Sequence, residues 1–178
     1  LASLSAPPAH AQGGGQGFAP NGLVPTMRAD GLVASPAPHQ VFQRGADGTA
    51  DIPVTLGEKL GKDAENVRVA LDGAGGVGES VPLVDGKIVG VATGGPYTLR
   101  VMYESHEARS INGGQDPGVQ TIAVGPIYVG DLWVLAGQSN MEGVGDLVDV
   151  TKPDPRVSAL EMDGKWAQAT EPLHWLVD

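Results

Sequence analysis

Ser139 stands in the string W-V-L-A-G-Q-S-N-M-E-G, residues 133–143, where an apolar run ends in a glycine, presents one serine between two amides and passes into further glycines. A serine hydroxyl is a poor nucleophile at neutral pH. It needs a neighbouring base, most often histidine, and N–H donors aimed at the oxyanion of the tetrahedral intermediate. Gly137 permits a sharp turn and the close approach of a substrate. The N–H of Ser139 is itself a candidate oxyanion donor, with Gln138 and Asn140 as supporting polar groups. The arrangement departs from the G-x-S-x-G nucleophile elbow, because Met141 takes the place of the second glycine. Spacing alone leaves a second reading open, in which the serine caps or closes a polar turn.

The chain holds four histidines from which a base would have to come. His10 lies in an Ala/Pro-rich stretch and His106 in the polar loop E-S-H-E-A-R, while His39 opens an alternating apolar segment. His174 follows Glu171 by three residues and imitates a D-x-x-H pair, but Pro172 breaks any helix there, so a turn beside Trp175 is the expected setting. No cysteine is present, which excludes disulfides and thiolate metal sites. D-V-T-K-P-D-P, residues 149–155, lacks the loop glycine and the density of oxygen ligands of a calcium site. No metal and no cofactor is expected.

The net charge of −10 and the pI near 4.6 argue against nucleic acid or an anionic membrane as partner, since both require clustered Lys and Arg. No apolar run approaches the ~18 residues of a membrane span. The opening L-A-S-L-S-A-P-P-A-H-A carries Ala9-His10-Ala11 in the arrangement of a signal-peptidase site, so export to the periplasm or beyond the cell is expected.

The elements that must position Ser139 are short strands. Residues 1–37 are dominated by Gly, Ala, Pro and Ser and read as an export-signal remnant and disordered linker. Alternating stretches follow at 40–44, 50–56, 66–71, 80–84, 87–92, 97–103 and 119–124. In Y-T-L-R-V-M-Y, for example, Tyr97, Leu99, Val101 and Tyr103 share one face. Asp47-Gly48, Asp72-Gly73, Asp85-Gly86, Gly94-Gly95-Pro96 and Asn112-Gly113 supply positive-φ residues for tight hairpins. The pattern predicts a mostly β chain, with a β-sandwich over 38–125 and little helix.

G-A-G-G-V-G at 73–78 matches a dinucleotide-binding pattern, but Val81 and Pro82 follow where a helix would have to begin, so a hairpin loop is predicted. From Ile127 the run I-Y-V-G-D-L-W-V-L-A is apolar on both faces after Asp131, as in a central strand of a parallel α/β sheet. A domain boundary is therefore predicted near Gly125-Pro126, with residues 126–178 forming a second domain. L-E-M-D-G-K-W predicts a further hairpin turning at Asp163-Gly164.

The string V-G-D-L-W-V-L-A-G-Q-S-N-M-E resembles the first catalytic block of the sialate O-acetylesterase family, within the SGNH hydrolase superfamily. P-H-Q-V-F-Q-R-G at 38–45 is similar to that family's early H-x-V-x-Q-R strand, and G-P-Y-T-L-R-V to a late strand of its N-terminal β-domain. The resemblance implies a β-domain followed by a flavodoxin-like α/β esterase domain with Ser139 as nucleophile, acting on acetylated sugars. It also implies an oxyanion glycine, an oxyanion asparagine and a late D-x-x-H that have no counterpart in this sequence. The expectation is thus an N-terminal part of such an esterase, its second domain incomplete and inactive alone, with Leu132, Val134 and Leu135 facing solvent for want of parallel neighbours. The alternative is a non-catalytic β-sandwich that binds carbohydrate or spaces other modules. Trp133, Trp166 and Trp175 would offer stacking surfaces, yet all three lie outside the sandwich strands.

Overall fold

The computed structural model describes residues 31–73, 76–111, 118–137 and 148–173, and these are mostly β. The strands are β1 (Val33–Ser35), β2 (Val41–Gln43), β3 (Thr49–Pro53), β4 (Thr55–Leu56), β5 (Ala64–Asp72), β6 (Val81–Pro82), β7 (Lys87–Ala92), β8 (Gly94–Ser105), β9 (Gln120–Gly130), β10 (Ser158–Leu160) and β11 (Trp166–Gln168). Two six-residue helices, α1 (Glu58–Asp63) and α2 (His106–Ile111), complete the described elements.

A five-stranded sheet in the order β2-β9-β8-β5-β6 carries most of the structure, and β3-β7, β1-β4 and β10-β11 form antiparallel pairs. Alternation decides which side chains are buried. Leu99 and Val101 of β8 point into the same core as Val69 of β5, while Arg100 lies on the opposite face. Ile52 of β3, Ile88 and Val91 of β7 and Val33 of β1 close that core from the other sheets.

The Asp-Gly pairs supply the expected left-handed residues, with φ of 76° at Gly48, 55° at Asp85 and 63° at Gly86. Their connectivity differs from the expected hairpins. β2 pairs with β9 and β3 with β7, so these turns carry the chain from one sheet to another. The Asp163–Gly164 turn does close a hairpin, pairing Leu160 with Trp166 and Ala159 with Ala167.

Two expected limits are corrected. Within the stretch predicted as linker, residues 33–36 are instead structured: Val33 and Pro36 are buried and β1 pairs with β4, with Gly57 N–H donating to Leu32 O at 2.8 Å. The boundary predicted at Gly125-Pro126 falls inside β9. There the register against β8 shifts: Leu99 faces Val124, Tyr97 faces Ile127 and Gly94 faces Val129. β9 therefore holds one extra residue between the first two pairs and β8 one extra between the last two. Pro96 and Pro126 have no N–H for the ladder, which suits them to such bulges. The bulge moves the inward parity of β9 from Ile122 and Val124 to Ile127 and Val129, so both halves feed one core. Gly95, at φ 131°, is required for this: a Cβ there would stand 2.7 Å from Tyr128 Cδ1.

In the 73–78 stretch the described residues, 73 and 76–78, belong to no helix, in line with the sequence context. Gly73 and Gly76 exchange backbone hydrogen bonds of 3.1 and 3.0 Å, and β6 follows in place of a helix. Asp72 anchors the loop by accepting from Gly78 N–H at 2.8 Å and from Arg100 Nε and Nη2 at 2.6 and 3.0 Å. The Arg100 hydrogen bond holds the Asp72 carboxyl below the usual carboxylate range against an opposing effect of burial, and the Gly78 amide works in the same direction as Arg100.

The fold makes two expectations. Residues 31–131 should melt cooperatively, whereas 38–124, stripped of Val33, Ile127 and Val129, should not. Each such side chain contributes about 1.5–3 kcal/mol, so together they approach the whole stability of a small domain. Calorimetry of the two fragments checks this. Asp72→Asn should destabilise the protein by about 1–3 kcal/mol at pH 7. Because the folded-state pKa is depressed, the unfolded chain takes up the proton first. The stabilisation is complete above the ordinary aspartate range and is lost as pH falls through the depressed folded-state value. Urea melts of wild type and variant should therefore differ at pH 7 and draw together as pH falls through that depressed value.

Candidate active site

The segment that carries Ser139 leaves the core at the carboxyl end of β9, and β2 fixes that exit. His39 adopts a left-handed conformation, φ 65°, in which its N–H donates to Pro126 O at 2.5 Å, and Tyr128 N–H then donates to Gln40 O at 2.9 Å. From there the strands run parallel, pairing Val41 with Tyr128, Phe42 with Val129 and Gln43 with Gly130. Arg44 N–H extends the ladder to Gly130 O at 2.9 Å.

Side chains take over where the backbone ladder stops. Gln43 Oε1 accepts from Leu132 N–H at 2.8 Å. The Arg44 guanidinium grips Asp131 with both carboxylate oxygens engaged, Nε to Oδ1 at 2.9 Å and Nη2 to Oδ2 at 3.0 Å. The hydrogen bond from Arg44 holds the Asp131 carboxyl below its usual range, and the same pairing raises the Arg44 pKa. On the other side of the exit, the hydroxyl of the buried Tyr128 donates to Pro155 O at 2.9 Å, which ties β9 to the segment leading into β10.

The apolar run divides at this point. Residues 127–130 are strand and largely buried, but Leu132, Trp133, Val134 and Leu135 form no strand and are 46%, 84%, 91% and 64% exposed. The single two-sided strand expected over the whole run is corrected accordingly. Its neighbours are used up: β8 begins at Gly94, opposite Val129, and β2 ends at Gln43, opposite Gly130. The exposure of Leu132, Val134 and Leu135 agrees with the expectation for a segment without parallel partners.

Among the site residues read from the sequence, Gly137 is exposed and belongs to no helix or strand, while Gln138, Ser139 and Asn140 lie outside the described residues. His10, His174 and Trp175 lie outside them as well. His39 is buried at the start of the β2/β9 crossover, in a structural setting. His106, exposed on α2, stands with Nε2 3.0 Å from Glu65 Oε1. Among the described residues no group of three or more His, Cys, Asp or Glu is placed to hold a metal ion. Sequence reasoning missed Asp131 and the roles of Gln43 and Arg44. The available signal was a Gln-Arg pair at the end of β2 and an aspartate directly after β9.

Residues 129–178 match the family model described as carbohydrate esterase, sialic acid-specific acetylesterase. The match begins in the last turn of the ladder between β9 and β2 and takes in Ser139, and it supports an acetylesterase-type activity at family level. No curated protein and no solved structure matches the chain.

Trp133 should behave as a solvent-exposed indole. Trp133→Phe is expected to remove the red-shifted, acrylamide-quenchable part of the emission and to leave the melting temperature unchanged, because the ring contributes little to the core. A loss of several degrees would contradict this placement.

Proposed function

We propose that the protein is an exported serine carbohydrate esterase that removes O-acetyl groups from sugars, sialate or other acetylated glycans, with Ser139 as nucleophile. The observation that carries this reading is the family match over 129–178, which takes in G-Q-S-N-M near its start. In the reaction Ser139 Oγ attacks the acetyl carbonyl carbon while a base takes its proton. The oxyanion forms beside the N–H of Ser139, with Gly137 giving the substrate room and Gln138 and Asn140 supporting the site. Collapse returns the proton to the departing sugar oxygen, and water then hydrolyses the acetyl-enzyme to acetate and free serine.

Of the two histidines described in the structure, His39 is buried where its backbone N–H meets Pro126 O, and His106 stands beside Glu65. We assign base and acid to residues outside this sequence, in an SGNH-type α/β domain in which the Leu132–Ala136 run, exposed and in no strand here, would become the first strand. The β-strands before it form the accompanying sandwich domain.

The test is hydrolysis of p-nitrophenyl acetate and of O-acetylated sialic acid by the protein expressed from its complete gene. Ser139→Ala should lower kcat by at least about 10³-fold without shifting the melting temperature. Undiminished turnover in a folded Ser139→Ala protein would sink the assignment, and glycan binding without hydrolysis would favour a binding module. The 178-residue chain alone should be essentially inactive. Robust hydrolysis by it that disappears in His174→Ala would make His174 the base.

A further inference from the structure

We propose, independently of the reading of Ser139, that the first half of β9 is a pairing edge for a second copy of this chain, the two strands meeting antiparallel about a two-fold axis at Ile122. On its inner side β9 pairs with β8 from Gln120 to Val129. On its outer side β2 occupies only Tyr128 to Gly130, and His39 N–H takes Pro126 O. Among the described residues no strand pairs with the outer side of residues 119–125. Along that stretch every second residue therefore turns its N–H and C=O away from β8 with no ladder to receive them.

Elsewhere the margins of the sheet are protected. β6 has two residues and ends in Pro82, and β2 has three and runs into Arg44. β5, ahead of its pairing with β6, carries Glu65 and a left-handed Asn66, φ 50°, within a register irregularity. Short length, proline, charge and bulges are the devices that keep a sheet edge from pairing with another chain. Val119-Gln120-Thr121-Ile122-Ala123-Val124-Gly125 has none of them: it holds no charge and no proline, and its register against β8 is regular from Gln120 to Val124. Its β-branched residues favour a strand, and Val119 is 64% exposed.

The chemistry of this edge selects a copy of itself. The chain carries a net charge of −10, so two copies repel wherever their acids meet. A two-fold at Ile122 pairs Val119 with Gly125, Gln120 with Val124, Thr121 with Ala123 and Ile122 with its own counterpart, and none of these is charged. The open stretch ends at Pro126, whose carbonyl His39 already occupies, and its seven residues are centred on Ile122. Ile122 is only partly buried against the core, and the second copy covers the remainder. The two five-stranded sheets then join edge to edge. Such an isologous contact closes at two copies and consumes the edge on both.

The experiment follows the mass of the protein expressed from its complete gene by sedimentation velocity across the micromolar range, with hydrogen exchange over 119–125 at both ends of that range. The wild type should pass from monomer to dimer, and alternate amides of the stretch should exchange more slowly as the dimer fills. Residues 1–178 contain no cysteine, so introduced ones report the register through the peptides they join. Oxidising a mixture of Thr121→Cys and Ala123→Cys proteins should link position 121 to position 123 of the other copy. Val77→Cys, 80% exposed at the far edge of the sheet, should not link to itself. Thr121→Lys with Ala123→Lys sets lysine against lysine on both sides of the axis and should weaken association by about tenfold, while the monomer still melts cooperatively. A wild type that stays monomeric throughout would overturn the proposal. Protection of 119–125 in that monomer, independent of concentration, would assign the edge to another segment of the same protein. A dimer indifferent to the two lysines, or one that links Val77→Cys as readily as the mixture, would lie elsewhere on the surface and would also overturn it. If the lysine variant does not fold, a dimeric mixture without the 121–123 link is decisive against the two-fold.

Discussion

The path of the chain beyond the core is set by the last three residues of β9. Tyr128, Val129 and Gly130 are held by parallel pairing to β2 on one side, and Val129 meets the start of β8 on the other. They reach that position only because the strand bulges at Gly125–Pro126. Without the extra residue there, the inward parity set by Ile122 and Val124 would carry on through Pro126 and Tyr128, and Ile127 and Val129 would face away from the core. The bulge in turn depends on Gly95, since any side chain there would strike Tyr128. One irregularity thus sets both the continuity of the core and the point where the serine segment departs.

That irregularity also explains what could be read from the sequence and what could not. Period-two alternation located the central strands well, because in Tyr97–Tyr103 Leu99 and Val101 share the buried face, and alternation is the direct trace of that. A bulge destroys the trace, and the two-sided apolar run from Ile127 placed a boundary at Gly125–Pro126, which lies inside β9. β1 was hidden for a different reason. Three residues give no period, and Val33 sits in a Gly/Ala/Pro-rich stretch whose composition resembles linker. Turn residues disclosed their backbone conformation but not their partners, since Asp85–Gly86 has the same left-handed chemistry whether the chain returns to the same sheet or crosses to another.

The chemistry was legible at a different level. Ser139, which lies outside the described residues, was singled out by the string around it, while the ion pair that grips the exit of β9 was not, because Arg44 and Asp131 are remote in sequence and complementary charges have no spacing rule across such a distance. The parallel pairing of β2 with β9 is equally invisible to local patterns. It joins residues more than eighty apart and needs the intervening strands to be in place first.

The contrast across Asp131 carries the argument further. Within five residues the chain passes from Val129, at 2% exposure, to Val134, at 91%. Leu132, Trp133, Val134 and Leu135 together leave a contiguous apolar run in water, each forgoing the ~25 cal/mol per Å² that burial supplies. Natural sequences are locally consistent with their surroundings, and departures from that consistency concentrate at functional sites. Here the departure immediately precedes Gly137 and Ser139, and it begins one residue after the Arg44–Asp131 pair. A polar clamp followed by an apolar segment without partners is the arrangement expected where one packed unit ends and hands its strand direction to another. In the proposed reading, the parallel sheet around Ser139 is what takes up that apolar surface.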